Sequence, residues 1–276
     1  MLFKLVILGY IGIIIFSQLD IFGSITENRH TALVEINGEI GPNGESAEMV
    51  NFALQSAFDS EASIGVIINI NSPGGSPVHS AQINEEIYRL KTLYPNKPVY
   101  VTASDICASG GYYIAVAADQ IYAHPASIVG SIGVLMDGFG FVESMKKLGV
   151  ERRLLTAGKN KGSLDPFSPI NEEQNEHAIR MLDEVHQQFI DAVKTGRGNR
   201  LADDPDIFSG LFWSGERAQE LGLIDDFGTL EQVARDVIGA EKILDYTVRQ
   251  SVVEKFAEEV GISMAKGLFG SSLNLR

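Results

Sequence analysis

Short apolar runs alternate along this chain with longer stretches in which apolar positions recur every three or four residues. Residues 32–36 (ALVEI) alternate in polarity and predict a strand, and residues 45–58 carry Met49, Phe52, Ala53 and Ala57 at helical spacing. Residues 64–70 (IGVIINI) form a nearly continuous β-branched run. Such a run suits a strand buried on both faces, as in a parallel sheet flanked by helices. It ends in a turn signal, NSPGGS at 71–76, ahead of a predicted helix over 78–90. The pattern then repeats: a strand over 98–103 (PVYVTA), a short loop, and a buried helix over 108–118 (ASGGYYIAVAA). Short strands are predicted at 120–123, 132–135 and 153–156. A long amphipathic helix is predicted over 172–194, with Ile179, Leu182, Val185, Phe189 and Val193 on one stripe. Residues 195–200 (TGRGNR) read as a loop, and 215–221 and 230–238 as two short helices. The strand–helix alternation, with no internal repeat, predicts an α/β fold with a parallel sheet.

The N-terminus is different in kind. Residues 5–16 (LVILGYIGIIIF) are unbroken apolar, and Leu2, Phe3, Leu19, Ile21 and Phe22 extend the apolar character around Ser17, Gln18 and Asp20. A spanning helix needs about 20 mostly apolar residues. A signal-peptide core is the competing reading, but no small-x-small cleavage pattern follows. The expectation is a retained anchor over 1–23, a polar linker over 24–30, one catalytic domain over 31–248, and a tail over 249–276. Lys4 precedes the apolar run while Asp20 and Glu27 follow it, which orients the N-terminus to the cytoplasm and the bulk of the chain outside.

Composition narrows the function classes. At 45% hydrophobic and 21% charged residues the 276-residue chain is ordinary globular material. A net charge of −14 repels phosphate, which argues against a nucleic-acid partner. The single cysteine, Cys107, excludes an intrachain disulfide, and its apolar surroundings suit a buried thiol. The five histidines are scattered without zinc-ligand spacing, so no metal and no cofactor is expected.

Two glycine-rich turns, Ser72-Pro73-Gly74-Gly75 and Ser109-Gly110-Gly111, each sit at a predicted strand-to-helix junction. Glycines there let backbone N–H groups face a ligand, and two such turns brought together form an oxyanion hole. Either turn alone is more simply a tight turn, and Ser109 alone is more simply a helix cap. A base for Ser109 is not obvious among His79, His124, His177 and His186. A lysine held neutral by burial is the other option. The loop at 156–163 (TAGKNKGS) offers Lys159 and Lys161, between which spacing does not choose.

NSPGG, then ASGGYYIA about 35 residues later, then VGSIGV, then a TAGxxK loop ahead of a long helix, together resemble the SppA/SohB peptidases, over roughly residues 31–248. The resemblance implies a Clp/crotonase-like fold of parallel sheet with flanking helices, preceded here by the N-terminal membrane-anchor helix. It implies that Ser109 is the nucleophile and Lys161 the general base of a Ser-Lys dyad. Ser131, in VGSIG, would orient the lysine. The amides of Gly74 or Gly75, with Gly110, would form the oxyanion hole. It implies a serine endopeptidase of the bacterial cytoplasmic membrane, with its catalytic domain on the extracytoplasmic side. The substrates would be remnant signal peptides or other short or unfolded membrane-associated chains. The chain matches the short form of the family, which assembles into homo-oligomeric rings where Ser and Lys come from neighbouring subunits.

Three rivals stand beside this reading. A crotonase-type acyl-CoA enzyme shares the fold but has no need of the Ser109/Lys161 pair. A catalytically inactive membrane scaffold would keep the fold with Ser109 as a cap. A membrane protease with the same dyad and stomatin-like partners would differ only in substrates and partners.

Overall fold

The computed structural model describes residues 29–249. The expected anchor, all but the end of the linker, and the tail beyond residue 249 lie outside the described residues. Among the described residues no helix is long and apolar enough to cross a membrane.

Strands β1 (His30–Asn37), β2 (Ser63–Ser72) and β3 (Val99–Ala108) form the parallel centre of an eight-stranded sheet. Its path runs from β6 (Phe212–Ser214) through β5 (Ile128–Gly130), β3, β2 and β1 to β8 (Ile243–Asp245), with β8 parallel to β1 and β6 antiparallel to β5. The far edge of β3 is shared. Its first half, Tyr100 to Ala103, pairs with β4 (Gln120–Ala123), and Ile106 to Ala108 pair with β5 (Ile128–Gly130). Strand β7 (Asp226–Phe227) extends β4. The helices are α1 (Ala47–Asp59), α2 (Pro77–Leu93), α3 (Gly110–Ala115), α4 (Val142–Leu148), α5 (Glu172–Arg197), α6 (Gly215–Glu220) and α7 (Leu230–Gln232).

The period of two along the strands sorts the core. Val66, Ile68 and Ile70 of β2, with Val99 and Val101 of β3, face the main core, where Val50 and Leu54 of α1 and Ile83 and Ile87 of α2 cover them. Ile67 and Tyr122 point to the other face, against Val233 and Ala234. The α/β expectation with flanking helices is met, and β2 is buried on both faces as its β-branched run implies.

Local chemistry fixes the junctions. Ser46 and Ser76 cap α1 and α2 by accepting the N–H groups of Met49 and His79, and Pro77 occupies the first turn of α2. Lys97 closes the other end of α1 by donating to the Phe58 and Ser60 carbonyls at 2.6 and 2.8 Å.

Several expected elements differ. Residues 132–135 and 153–156 are not strands, because the available edge of β3 is taken by residues 128–130. The segment after Gly133 instead carries its apolar residues outward, with Leu135 79% and Leu155 97% exposed. Helix α3 stops at Ala115, short of residue 118, whereas α5 runs three residues past 194 into the expected loop. The helix expected at 230–238 changes at Val233 into a π-helical turn, Val233–Ile238. His30, expected to end the linker, already belongs to β1.

Candidate active site

The C-terminal ends of β2 and β3 bring the two glycine-rich turns together. Ile70 lies opposite Ala103 but Ser72 lies opposite Cys107, so β3 carries two extra residues within that step. The bulge aims the end of β3 at the turn that follows β2. The Ser109 N–H then donates to the Gly130 carbonyl at 2.8 Å, which holds the residue between β3 and α3.

Ser109 has φ 51 and ψ −122, a conformation that L residues rarely adopt. It occupies the cap position of α3, yet its side chain makes no capping hydrogen bond. Ser131 is also at positive φ (54), with its N–H donated to the Leu211 carbonyl at 2.8 Å. Backbone strain of this kind costs about 1–3 kcal/mol per residue and concentrates at functional sites.

Gly74 (φ +104) packs directly on Ser109 and Gly110. Its N–H donates to Ser72 Oγ at 3.1 Å. The N–H groups of Gly75 and of Gly110, the first residue of α3, have no partner among the described residues. A Cβ built on Gly110 would stand 3.3 Å from the Gly75 nitrogen, so the two free donors are neighbours. Gly110 also lies against the hydroxyl of the buried Ser80.

Helix α3 has six residues, too few to be stable alone. Side chains from α2 hold its end, Asn84 Nδ2 donating to the Tyr113 carbonyl at 2.7 Å and Lys91 Nζ to the Ala117 carbonyl at 2.9 Å, while the helix's own Tyr112 hydroxyl donates to the Leu223 carbonyl at 2.7 Å. Because Asn84 and Lys91 belong to α2, the helices that follow the two glycine turns are cross-braced.

A cleft of about 910 Å³ opens on this junction, with Ser109, Gly75, Gly110 and Ser131 in its wall. Its other walls come from α2, from Val134 and Leu135, and from Val185, His186 and Phe189 of α5. The Tyr113 and Phe189 rings meet at 4.9 Å between centroids. Val185 and Phe189 belong to the apolar stripe recognised in the sequence; the stripe covers a cleft as well as core, which its periodicity does not distinguish. His186 and Glu85 also line the cleft, and no sequence motif marked them.

Neither lysine lines the cleft. Lys159 and Lys161 sit in an exposed run of turns between α4 and α5. The Lys159 ammonium is engaged by Glu173 at 2.9 and 3.0 Å. Lys161 has no ion pair among the described residues. The structure therefore brings Ser109, Ser131, Gly74, Gly75 and Gly110 together within one chain, and leaves Lys161 outside the group.

Three of the four candidate histidines are occupied. His79 Nδ1 accepts the Ala47 N–H at 2.9 Å, His124 Nδ1 accepts the Ala126 N–H at 3.1 Å, and His186 Nε2 donates to the Ile132 carbonyl at 3.0 Å. Burial pushes the Cys107 thiol up to about 12, so it behaves as the inert structural thiol its apolar surroundings imply. Among the described residues no group of three or more His, Cys, Asp or Glu is placed to hold a metal ion.

The family model described as peptidase family S49 matches residues 91–243. A 186-residue stretch, 67% of this chain, is 50% identical to a segment covering 25% of a Brucella abortus protein named Na(+)/H(+) antiporter NhaA. Over 204 residues, 73% of the chain, identity is 30% to the chloroplastic serine protease SPPA of Arabidopsis thaliana, covering 30% of that protein. Over 228 residues, 81% of the chain, identity is 28% to protease 4 of Haemophilus influenzae, covering 36% of it. The chain thus spans between 25% and 36% of the length of these relatives.

Proposed function

The chain belongs to peptidase family S49, and from that premise we propose that it is a membrane-associated serine endopeptidase whose nucleophile is Ser109 and whose general base is Lys161 of a neighbouring subunit. The observation that carries the reading is the posture of Ser109. It is a strained, uncapped serine beside two unpartnered N–H groups in the wall of a largely apolar cleft.

In this mechanism Lys161, held neutral where subunits meet, removes the Ser109 proton as Oγ attacks a peptide carbonyl. The N–H groups of Gly75 and Gly110 receive the developing oxyanion, while Gly74, whose own N–H is spent on Ser72, supplies the close approach. The lysine passes its proton to the leaving amine. Water then attacks the acyl-enzyme as the lysine takes its proton, and the acyl–Oγ bond breaks as that proton returns to Ser109 Oγ and the product acid leaves. Ser131 orients the arriving ammonium or amine. Lys161 suits the role better than Lys159, whose ammonium is already held by Glu173.

Supply of the lysine by a second copy is supported by its exposed turn, remote from the cleft wall, and by the apolar residues exposed on the same segment. It implies a homo-oligomeric ring of the Clp/crotonase type, anchored by residues 1–23, with its catalytic domain outside the cytoplasm. Remnant signal peptides are short and apolar, as the cleft requires. The acyl-CoA rival is disfavoured by the match to a peptidase family.

The test is hydrolysis of casein and of a synthetic signal peptide by the detergent-solubilised chain, beside Ser109→Ala, Lys161→Ala and Lys159→Ala. A fluorophosphonate should label Ser109. Loss of activity in the first two variants and its retention in the third is the expected pattern; full activity in Ser109→Ala would falsify the assignment.

A further inference from the structure

Along α2, Val78, Ala81, Gln82 and Glu85 recur at helical spacing and present one face to the cleft. Across from them stand Leu135, Val185 and Phe189. Among the residues lining the cleft, Glu85 is the sole carboxylate, and no lysine or arginine is present; Tyr113 and His186 are the other titratable groups.

Glu85 is also unspent. It has no ion pair or hydrogen bond among the described residues. Its neighbour Glu86 is engaged by Arg89 at 2.6 Å and by Gln55 at 2.8 Å. The Tyr113 phenol is pushed up by burial first and by the negative charge of Glu85 second, so carboxylate and ring share one space.

We propose that Glu85 is a specificity-determining residue, selecting peptides that carry Lys or Arg three or four residues from the cleaved bond with apolar residues between. This rests on the peptidase reading above. The distance follows from the helix. Eight residues separate Pro77, at the start of α2 beside the Gly74-Gly75 turn, from Glu85, which at 1.5 Å per residue is about 12 Å. An extended peptide covers that length in three to four residues. The aliphatic stem of a lysine lies along the apolar wall while its ammonium reaches the carboxylate. Because Glu85 is exposed at the rim, the preference is modest, about fivefold, and weakens with salt.

The experiment uses the full chain and internally quenched peptides in which a single lysine is moved through positions on either side of the cleaved bond, with glutamine as the neutral and glutamate as the acidic counterpart. Wild type is compared with Glu85→Gln, Glu85→Lys and a control, Glu61→Gln. Glu61 lies in the turn before β2, at the opposite end of a ten-residue strand from the site. The expected result is about a fivefold higher kcat/KM for one lysine position, lost in Glu85→Gln, reversed in favour of a glutamate peptide in Glu85→Lys, and kept in Glu61→Gln. Equal cleavage of all peptides by wild type, an unchanged preference in Glu85→Gln, or the same loss in Glu61→Gln overturns the proposal and leaves the peptidase reading intact. Absence of any cleavage together with absence of Ser109-dependent fluorophosphonate labelling overturns both.

Discussion

A Cβ built on Gly74 would stand 2.6 Å from the Cβ of Ser109 and 2.9 Å from its Oγ. The glycine after β2 is therefore pressed against the serine after β3, and no side chain fits between them. Gly74 also has φ +104, where a Cβ adds strain of its own. Gly74→Ala should lower kcat/KM at least about 100-fold by displacing Ser109 and the adjacent Gly110 donor. It should cost about 1–3 kcal/mol of stability. Peptide hydrolysis and thermal melting together check this; a variant with wild-type kcat/KM would show that the contact does not set the site.

The strained backbone of Ser109 has a separate signature. Ser109→Gly and Ser109→Ala both remove the hydroxyl, but only glycine relieves a φ of 51. Relief of about 1–3 kcal/mol exceeds the roughly 0.5–1 kcal/mol that glycine loses through its unfolded-state entropy. Ser109→Gly should therefore melt a few degrees above Ser109→Ala, at about 2–4 °C per kcal/mol. Identical melting temperatures would mean that the site stores no strain at this residue.

Cys107, two residues upstream of Ser109, should be silent. With its thiol buried and pushed up to about 12, the thiolate that alkylation needs is scarce at pH 8. Iodoacetamide should leave peptidase activity unchanged in the native protein and modify Cys107 only after unfolding. Rapid native alkylation with loss of activity would reopen the question of which residue is the nucleophile.

The β-branched run of β2 and its NSPGG stop were legible because a strand buried on both faces and a Gly-Gly turn each leave a local composition signal. The same holds for Ser109 at the start of α3. Strand β5 lies a few residues ahead of the 132–135 that the pattern predicts, because its position depends on which part of β3 remains free, a property of the partner strand. The three-residue strands β6 and β8 are likewise defined by their neighbours. Glu85 left no mark, and His186 none beyond its residue type, because a helix that lines a cleft has the same periodicity as one that covers a core. That Lys161 lies outside the cleft wall is not written in spacing at all.

Arg197 and Asp225 tie the end of α5 to the segment before β7. Arg197 is buried and donates to Asp225 at 2.7 and 3.1 Å and to the Gly222 carbonyl at 2.8 Å. Asp225 also accepts the Ile121 N–H at 2.7 Å and pairs with Arg200 at 2.9 Å. Burial pushes the Asp225 carboxyl up, but the hydrogen bonds from Arg197 and the Ile121 N–H outweigh it, so the group is held below its usual range. Its stabilisation is thus fully present above the ordinary Asp value near 4 and is lost as pH falls through the lower, folded-state value. Arg197→Met should cost about 3–5 kcal/mol by leaving a half-buried carboxylate short of its main partner. Melting between pH 7 and pH 3 should show a steeper acid decline in wild type than in Asp225→Asn; parallel curves would remove this pair from the account of stability.

The proposed trans supply of Lys161 differs most sharply from a single-chain dyad in a mixing experiment. Ser109→Ala and Lys161→Ala are each expected to be inactive as homo-oligomers. When the two are co-expressed in equal amounts and assemble at random, about a quarter of subunit contacts pair an intact Ser109 with an intact Lys161 from the neighbour. Activity should then return to about a quarter of wild type, with fluorophosphonate labelling confined to the Lys161→Ala subunits. In a dyad formed within one chain no such contact exists and co-expression restores nothing. The single-chain outcome would require the exposed turn carrying Lys161 to fold back into the cleft, in which case a disulfide or cross-link that pins that turn to α5 within its own chain would abolish activity; under trans supply, the decisive cross-link joins the turn to the cleft of the next copy.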